Sequence, residues 1–422
     1  MSQPRRRLIV VDQGLRGYEG HHHQYDVAVA SAAVRRGMDP ALAVHSALAV
    51  QSVDGFPVVG RFRQSSDDTR RSRAKVVVRN ALNLLPPPAR RPLLSAAAQI
   101  PASTSQATIE GRAFGVELSG LIAAERLTSA DHVFVHTLRD GELLGLLNAL
   151  GGSPSLPHIH ALLRYDATPA TRSVASRAEA TAYLGGRLRV WTDTEPLAAQ
   201  YRGVGLDVAG VLPIPHCLPV LSERPQATGP LTISYLGGAR GEKGFARLPS
   251  LLESLAEPYL NAGRVKFVVQ ANYSLSREEP LMAKTARALS RMPGQWLELL
   301  PRPLTPVELQ ARLVSSDILL LPYDGESYRR RSSGLLVQAA VAGIPVVVPV
   351  DTWLSAAAPP GAHVVFDQGV PSLVEAVRQA VERHPSLLAA ARGARDRYRH
   401  EHDAERLVAK LTACGEGLGV CV

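Results

Sequence analysis

Leu231–Phe245, LTISYLGGARGEKGF, and Asp317–Pro349, DILLLPYDGESYRRRSSGLLVQAAVAGIPVVVP, are the two stretches whose reading decides the fold. In the first, a short apolar run ends at Gly237 and Gly238, and Arg240, Lys243 and Gly244 follow as a helix opens. Glycines let a backbone approach a ligand closely, and an Arg and a Lys three residues apart can close on a diphosphate. The same pattern also fits a structural turn carrying solvated charges. In the second, a buried strand runs into a polar loop, Ser332, Ser333 and Gly334 start a helix, and Gly343-Ile344-Pro345 returns the chain to another buried strand. The unpaired N–H groups at that helix start, with the helix dipole behind them, make an anion site. Two anion sites at strand C-termini of one lobe fit a single diphosphate.

The alternation of apolar runs and amphipathic stretches extends outward in both directions. RLPSLLESL, VKFVVQAN, WLELLP and VELQARLVSS continue it in the second half, and RRLIVV, HHQYDVAVASAAVRRG, DHVFVH, GELLGLLNALG, LPHIHALL and LRVWT carry it through the first. Successive βαβ units on parallel sheets are the expected result. A chain of 422 residues suits two such domains. The expected fold class is therefore α/β, with two Rossmann-like, doubly wound sheets whose strand C-termini address a shared crevice. The boundaries read as residues 1–213 for the first domain, 214–230 for a proline-rich linker, 231–384 for the second domain, and 385–422 for a long charged helix and tail. Between Asp54 and Glu110 the rhythm fails around LLPPPARRPLL, so an insertion is expected there. TDTE, Thr192–Glu195, reads as a capping box rather than a metal site.

Hydrophobic residues make up 45% and aromatics 5%, a globular composition. The net charge of +9 draws the protein towards anions, yet no zinc spacing or dense basic helix points to nucleic acid. Three cysteines, Cys217, Cys414 and Cys421, at no metal-ligand spacing suggest a reducing compartment. The start, MSQPRRRLIVVDQGL, has no long apolar region and does not read as a signal peptide, and no run of 18 apolar residues occurs. A cytoplasmic protein is expected. Arg61–Arg91 carries nine Lys and Arg against Asp67 and Asp68, which reads either as a solvated loop or as a peripheral contact with an anionic membrane at its inner face.

On these residues the second half resembles the donor lobe of GT-B glycosyltransferases, closest to the retaining group of glycosyltransferase family 4. YLGGARGEKG is similar to the family's strand, glycine turn and Lys-Gly pair, and QAAVAGIPVV to its helix ending in E-A-x-x-x-G-x-P-V-V. The first half resembles the family in Gly20 with HHHQYD after the first strand, and in DHVFVH, which ends a strand on His136. The resemblance implies a nucleotide-diphosphate sugar as donor, an acceptor of unidentified glycan, lipid-linked or small-molecule type, and retaining transfer; the lack of a credible ligand cluster in the sequence leads us to expect no metal, and no other cofactor is expected. It further implies that Arg240 and Lys243 hold the donor diphosphate together with Gly238, Ser332, Ser333 and Gly334, and that His136 orients the sugar. The Arg stands three residues before the Lys, where five is commoner.

Two family glutamates are replaced, by Arg330 and Gln338. Gln338 still accepts a hydrogen bond from a ribose hydroxyl, and the nearby Glu326 is the candidate substitute for the first acid. His21, His22 and His23 read as a helix start touching donor or acceptor, because adjacent histidines diverge and no carboxylate cluster stands at ligand spacing. Two other readings stay open: a sugar-nucleotide-binding protein without activity, and a nucleotide-sugar epimerase on the same fold.

Overall fold

RLIVVD, HVFVHTL and VVVP are buried along nearly their whole length, as central strands of a parallel sheet covered on both faces must be. The computed structural model describes residues 5–18, 21–63, 104–153, 155–217, 229–272, 279–367 and 369–413. These fall into two compact units, one from the described parts of 1–17, 30–212 and 410–422, the other from those of 18–29 and 213–409.

The first unit holds β1 (Arg7–Asp12), β2 (Asp39–His45), β3 (Ser52–Val53), β4 (Phe56–Phe62), β5 (His132–Leu138), β6 (His158–Leu163), β7 (Leu188–Thr192) and β8 (Gly210–Val211). They form one sheet in the order β3-β4-β2-β1-β5-β6-β7-β8. All neighbours are parallel except the β3–β4 pair. The second unit holds β9 (Leu231–Tyr235), β10 (Val265–Gln270), β11 (Leu297–Leu300), β12 (Ile318–Leu320), β13 (Val346–Pro349) and β14 (His363–Phe366). Its sheet runs β11-β10-β9-β12-β13-β14 and is parallel throughout. The strand order reverses between β1 and β5 in one sheet and between β9 and β12 in the other. Those are the switch points at which doubly wound sheets leave a crevice outside the strand C-termini.

Three local expectations need correction. The interruption between Asp54 and Glu110 is narrower than the prolines suggest. FPVVGRF is strand β4 beside β2, and Thr104–Ala124 is a 21-residue helix. That helix meets the helix Asp140–Leu150 at backbone distance, since a Cβ on Gly145 would stand 1.6 Å from the Gly111 oxygen. Residues 64–91, which carry most of the basic stretch, lie outside the described residues. In TDTE, Thr194 is the cap, its side chain accepting from the Leu197 N–H, while Thr192 ends β7. The charged C-terminal helix is two helices, His384–Glu401 and Ala404–Ala413. The first stops where the His402 Nδ1 meets the Ile214 carbonyl at 3.0 Å, and Asp403 accepts from the Glu405 N–H at 2.8 Å. No helix among the described residues is long and apolar enough to cross a membrane.

At the strand N-termini of the first unit, the rings of His132 and His160 stack at 5.4 Å and those of His132 and His158 at 5.0 Å. His132 Nδ1 and His160 Nε2 are 3.1 Å apart, and Trp191 Nε1 donates to His160 Nδ1 at 3.3 Å. Burial, then the neighbouring histidines and arginines, pushes His132 down to about 4 and His160 well below its ordinary value. In the unfolded chain these imidazoles take up protons near pH 6.5. Between pH 6.5 and 4 the unfolded state therefore binds more protons, and stability falls as pH falls through that window. Thermal unfolding followed by circular dichroism at pH 7 and pH 5 is expected to show a lower midpoint at pH 5, with the difference reduced in His132→Phe. An equal pH response in the two proteins would remove the stack from the effect.

Candidate functional site

Strand β9 ends at Tyr235, and the buried Leu236 leads into the glycine turn. Gly237 takes a φ of +92°, open to glycine at little cost. Its N–H donates to Gln270 Oε1 at 2.7 Å, and Ala239 N–H to the Asn272 carbonyl at 2.9 Å, so the end of β10 fixes the turn. Arg240 leads into a 3-10 turn, Gly241–Lys243, closed by Gly244 at φ +73°.

Gly244 lies directly on the loop after β12: a Cβ there would stand 1.8 Å from the Pro322 carbonyl oxygen. The Asp324 N–H also donates to the Glu242 carbonyl at 2.9 Å. These two contacts join the segments on either side of the β9/β12 switch point. Across it, the helix Gly334–Ala342 begins at Ser333, whose side chain accepts from the Leu336 N–H. Its first N–H groups have no intrahelical partner. A Cβ on Gly237 would meet Leu335 Cδ1 at 3.1 Å and Lys243 Nζ at 3.4 Å. The glycine turn, the lysine ammonium and the helix start therefore occupy one place.

The charges there are concentrated. The Lys243 ammonium lies 5.6 Å from the Tyr323 ring centroid. Its burial, reinforced by Arg240 and Arg331 and opposed by Glu242, brings its pKa down to about 7. Glu242 Oε1 is 3.8 Å from an Arg240 terminal nitrogen and 3.6 Å from one of Arg331. Arg331 also stacks over the Tyr328 ring at 4.9 Å. Three cations and one carboxylate thus surround the turn. Such a set attracts and orients a multiply charged phosphate group.

Of the residues singled out by sequence, Gly238, Arg240, Lys243, Ser333 and Gly334 come together around this turn. A Cβ on Gly238 would sit 3.7 Å from Arg240 Nε. Ser332 precedes the cap. Gln338 is buried one helical turn below Gly334. Glu326 is elsewhere: its side chain is 79% exposed and ion-paired with Arg329. Sequence reasoning missed Arg331, Glu242, Gln270 and Tyr323. The only available signal was the run Arg329-Arg330-Arg331, and spacing does not say which of three successive arginines turns inward.

In the first unit, His136 is fully buried at the C-terminal end of β5, opposite Asp12 at the end of β1, on that sheet's own switch point. Its Nε2 is 3.3 Å from Asp12 Oδ2 and its Nδ1 3.0 Å from Thr137 Oγ1. Thr137 sits at φ +71°, where β5 slips register against β6. A histidine pinned by a carboxylate at a strand end has its orientation fixed. The histidine triplet opens the helix His21–Arg35, and His23 is buried.

This architecture is the GT-B fold: two doubly wound α/β sheets, each with polar residues gathered at its switch point. No protein-family model matches the chain, and no curated protein matches it in sequence. Among solved structures it is similar to one described as trehalose-6-phosphate from E. coli bound with UDP-2-fluoro glucose, with a TM-score of 0.68 over 98% of this chain and 99% of that one at 12% identity. It is also similar to a sucrose-phosphate synthase from Thermosynechococcus elongatus, with a TM-score of 0.64 over 97% and 98% of the two chains at 10% identity. A UDP-forming alpha,alpha-trehalose-phosphate synthase from Burkholderia vietnamiensis gives 0.61 over 96% and 100% at 16% identity. Two of these neighbours are described as sugar-phosphate synthases, where the sequence motifs pointed first to glycosyltransferase family 4; both readings share the GT-B fold.

Proposed function

We propose that the protein is a glycosyltransferase that binds a nucleotide-diphosphate sugar at the β9/β12 switch point and passes the sugar to an acceptor hydroxyl. One observation carries this: Lys243, Arg240 and the start of the helix Gly334–Ala342 meet on a glycine turn at strand C-termini. Transfer breaks the bond between the anomeric carbon and the diphosphate oxygen, which leaves with the electron pair and gains negative charge. Fixed cations and helix N–H groups aimed at that oxygen lower the barrier. The acceptor hydroxyl attacks from the leaving-group face, a phosphate oxygen takes its proton, and the anomeric configuration is retained. Gln338 accepts from the nucleotide ribose, and in the first unit His136, oriented by Asp12, is the candidate sugar contact at that unit's own switch point. With the charge met by side chains, turnover is expected to persist in excess EDTA.

The fold neighbours suggest UDP-glucose as the first donor to try and sugar phosphates as the first acceptors. Purified protein would be incubated with UDP-, GDP- and ADP-sugars, with and without sugar-phosphate, glycan and lipid-linked acceptors. Acceptor-dependent release of nucleoside diphosphate with a new glycoside is the expected result. A donor bound but left intact, or one whose sugar is altered with no acceptor present, would overturn transfer.

A further inference from the structure

Glu242 is an unexpected residue in a site that attracts anions. It lies between Arg240 and Lys243 in sequence, and its Oε1 faces both Arg240 and Arg331 at 3.8 and 3.6 Å. Those are ion-pair distances beyond hydrogen-bond reach, and Oε1 is buried and accepts no hydrogen bond from any described residue. Buried carboxylate oxygens are normally hydrogen-bonded, so this one marks a group of charges held short of full engagement. The two arginines differ. Arg240 is 54% exposed, whereas Arg331 is 17% exposed and rests on Tyr328. The backbone of Glu242 is itself fixed by the Asp324 N–H.

We propose that Arg331 is a third diphosphate-binding cation, and that Glu242 holds Arg331 and Arg240 over the glycine turn as a resident anion which the incoming diphosphate displaces. The inference rests on the donor-site reading above and adds to it a residue and a competition. A diphosphate offers several oxygens for charge-assisted hydrogen bonds where Glu242 Oε1 makes none, so at this position the arginines exchange a loose ion pair for closer contacts. Arg331, stacked and little exposed, has little side-chain freedom to lose in doing so. The carboxylate offsets part of the positive charge that Arg240, Lys243 and Arg331 bring to the turn, and it opposes the diphosphate in proportion to the ligand's charge. It therefore weakens the hold on free nucleoside diphosphate, which carries more charge than the nucleotide sugar, and so favours release of that product.

Isothermal titration with UDP, GDP and ADP, and with inorganic pyrophosphate as a probe independent of the base, tests this on the full chain. Arg331→Gln is expected to weaken binding by about 10- to 100-fold and to flatten the dependence of log affinity on log salt, and Arg331→Lys to recover part of the loss. Glu242→Gln is expected to tighten binding by about tenfold, more for the free diphosphate than for its sugar, with the circular dichroism spectrum unchanged. Weaker binding in Glu242→Gln would make the carboxylate a scaffold and overturn the competition. An unaltered salt dependence in Arg331→Gln would remove Arg331 from the site. If the unmodified protein binds neither pyrophosphate nor any of the three nucleotides, the donor-site reading itself fails, and this inference with it.

Discussion

Lys243→Ala is expected to lower turnover by roughly 10²- to 10³-fold with the fold intact, the usual scale for one group that stabilises charge in the transition state. The ammonium sits against the glycine turn and the face of Tyr323, where removing it opens space without breaking a hydrogen bond in the core. Its environment adds a signature that a surface lysine lacks. Burial and the flanking arginines bring its pKa to about 7, so in the empty site the ammonium begins to lose its proton near neutrality. A bound diphosphate favours the charged form. Above pH 7, binding must then bring a proton with it, and affinity for nucleoside diphosphate is expected to fall as pH rises, by up to about tenfold per pH unit. Titration in buffers of different ionisation enthalpy is expected to show proton uptake at pH 8 and none in Lys243→Ala. For the empty protein the sign differs. The unfolded lysine holds its proton up to about pH 10.4, so between pH 7 and that value the unfolded state binds more protons and this group's destabilising effect fades as pH rises. Equal turnover in the variant and the unmodified protein would remove Lys243 from the mechanism.

Gly244→Ala is expected to be the most damaging single methyl group in the second unit. The residue holds φ +73°, which costs a side-chain-bearing residue about 1–2 kcal/mol. The added Cβ would also stand 1.8 Å from the Pro322 oxygen and 2.8 Å from its carbonyl carbon. Both atoms are backbone, so relief requires separating the glycine turn from the loop after β12. That separation would pull Arg240 and Lys243 away from the helix at Gly334. The expected result is a loss of about 3 kcal/mol, or roughly 10 °C in unfolding midpoint, with diphosphate binding lowered by more than about 100-fold. Gly334→Ala is the control, because its added Cβ meets nothing within 4 Å, and it is expected to unfold within about 2 °C of the unmodified protein. Similar midpoints for the two variants would mean that the turn relaxes without cost.

The fold was legible because its signals are local and repeated. Long buried runs such as LIVV and PVVVP cannot sit on a half-exposed surface, and each is followed by a glycine or polar turn and a helix-period stretch. Where the signal was weaker the reading slipped by a few residues or by one element. Thr192 and Thr194 are both competent caps, and only the end of β7 decides between them. FPVVGRF was hidden because Pro57 and Gly60 interrupt it, although Phe56, Val58, Val59 and Phe62 favour a strand.

The site divides along the same line. The sequence alone determined that glycines, Arg240 and Lys243 follow one strand and that Ser333 and Gly334 open a helix after another, because strand ends, turns and caps depend on neighbours a few residues away. Only the tertiary structure decided that these two segments meet, through Gly244 against Pro322 and Gly237 against Leu335. It also decided that Arg331, rather than Arg329 or Arg330, faces Glu242, and that Glu326 turns outward to Arg329. The physical reason is side-chain direction. In a loop, three successive arginines point three ways, and which one reaches a carboxylate 89 positions earlier in the chain is fixed by the pairing of β9 with β12, a contact that no local pattern encodes.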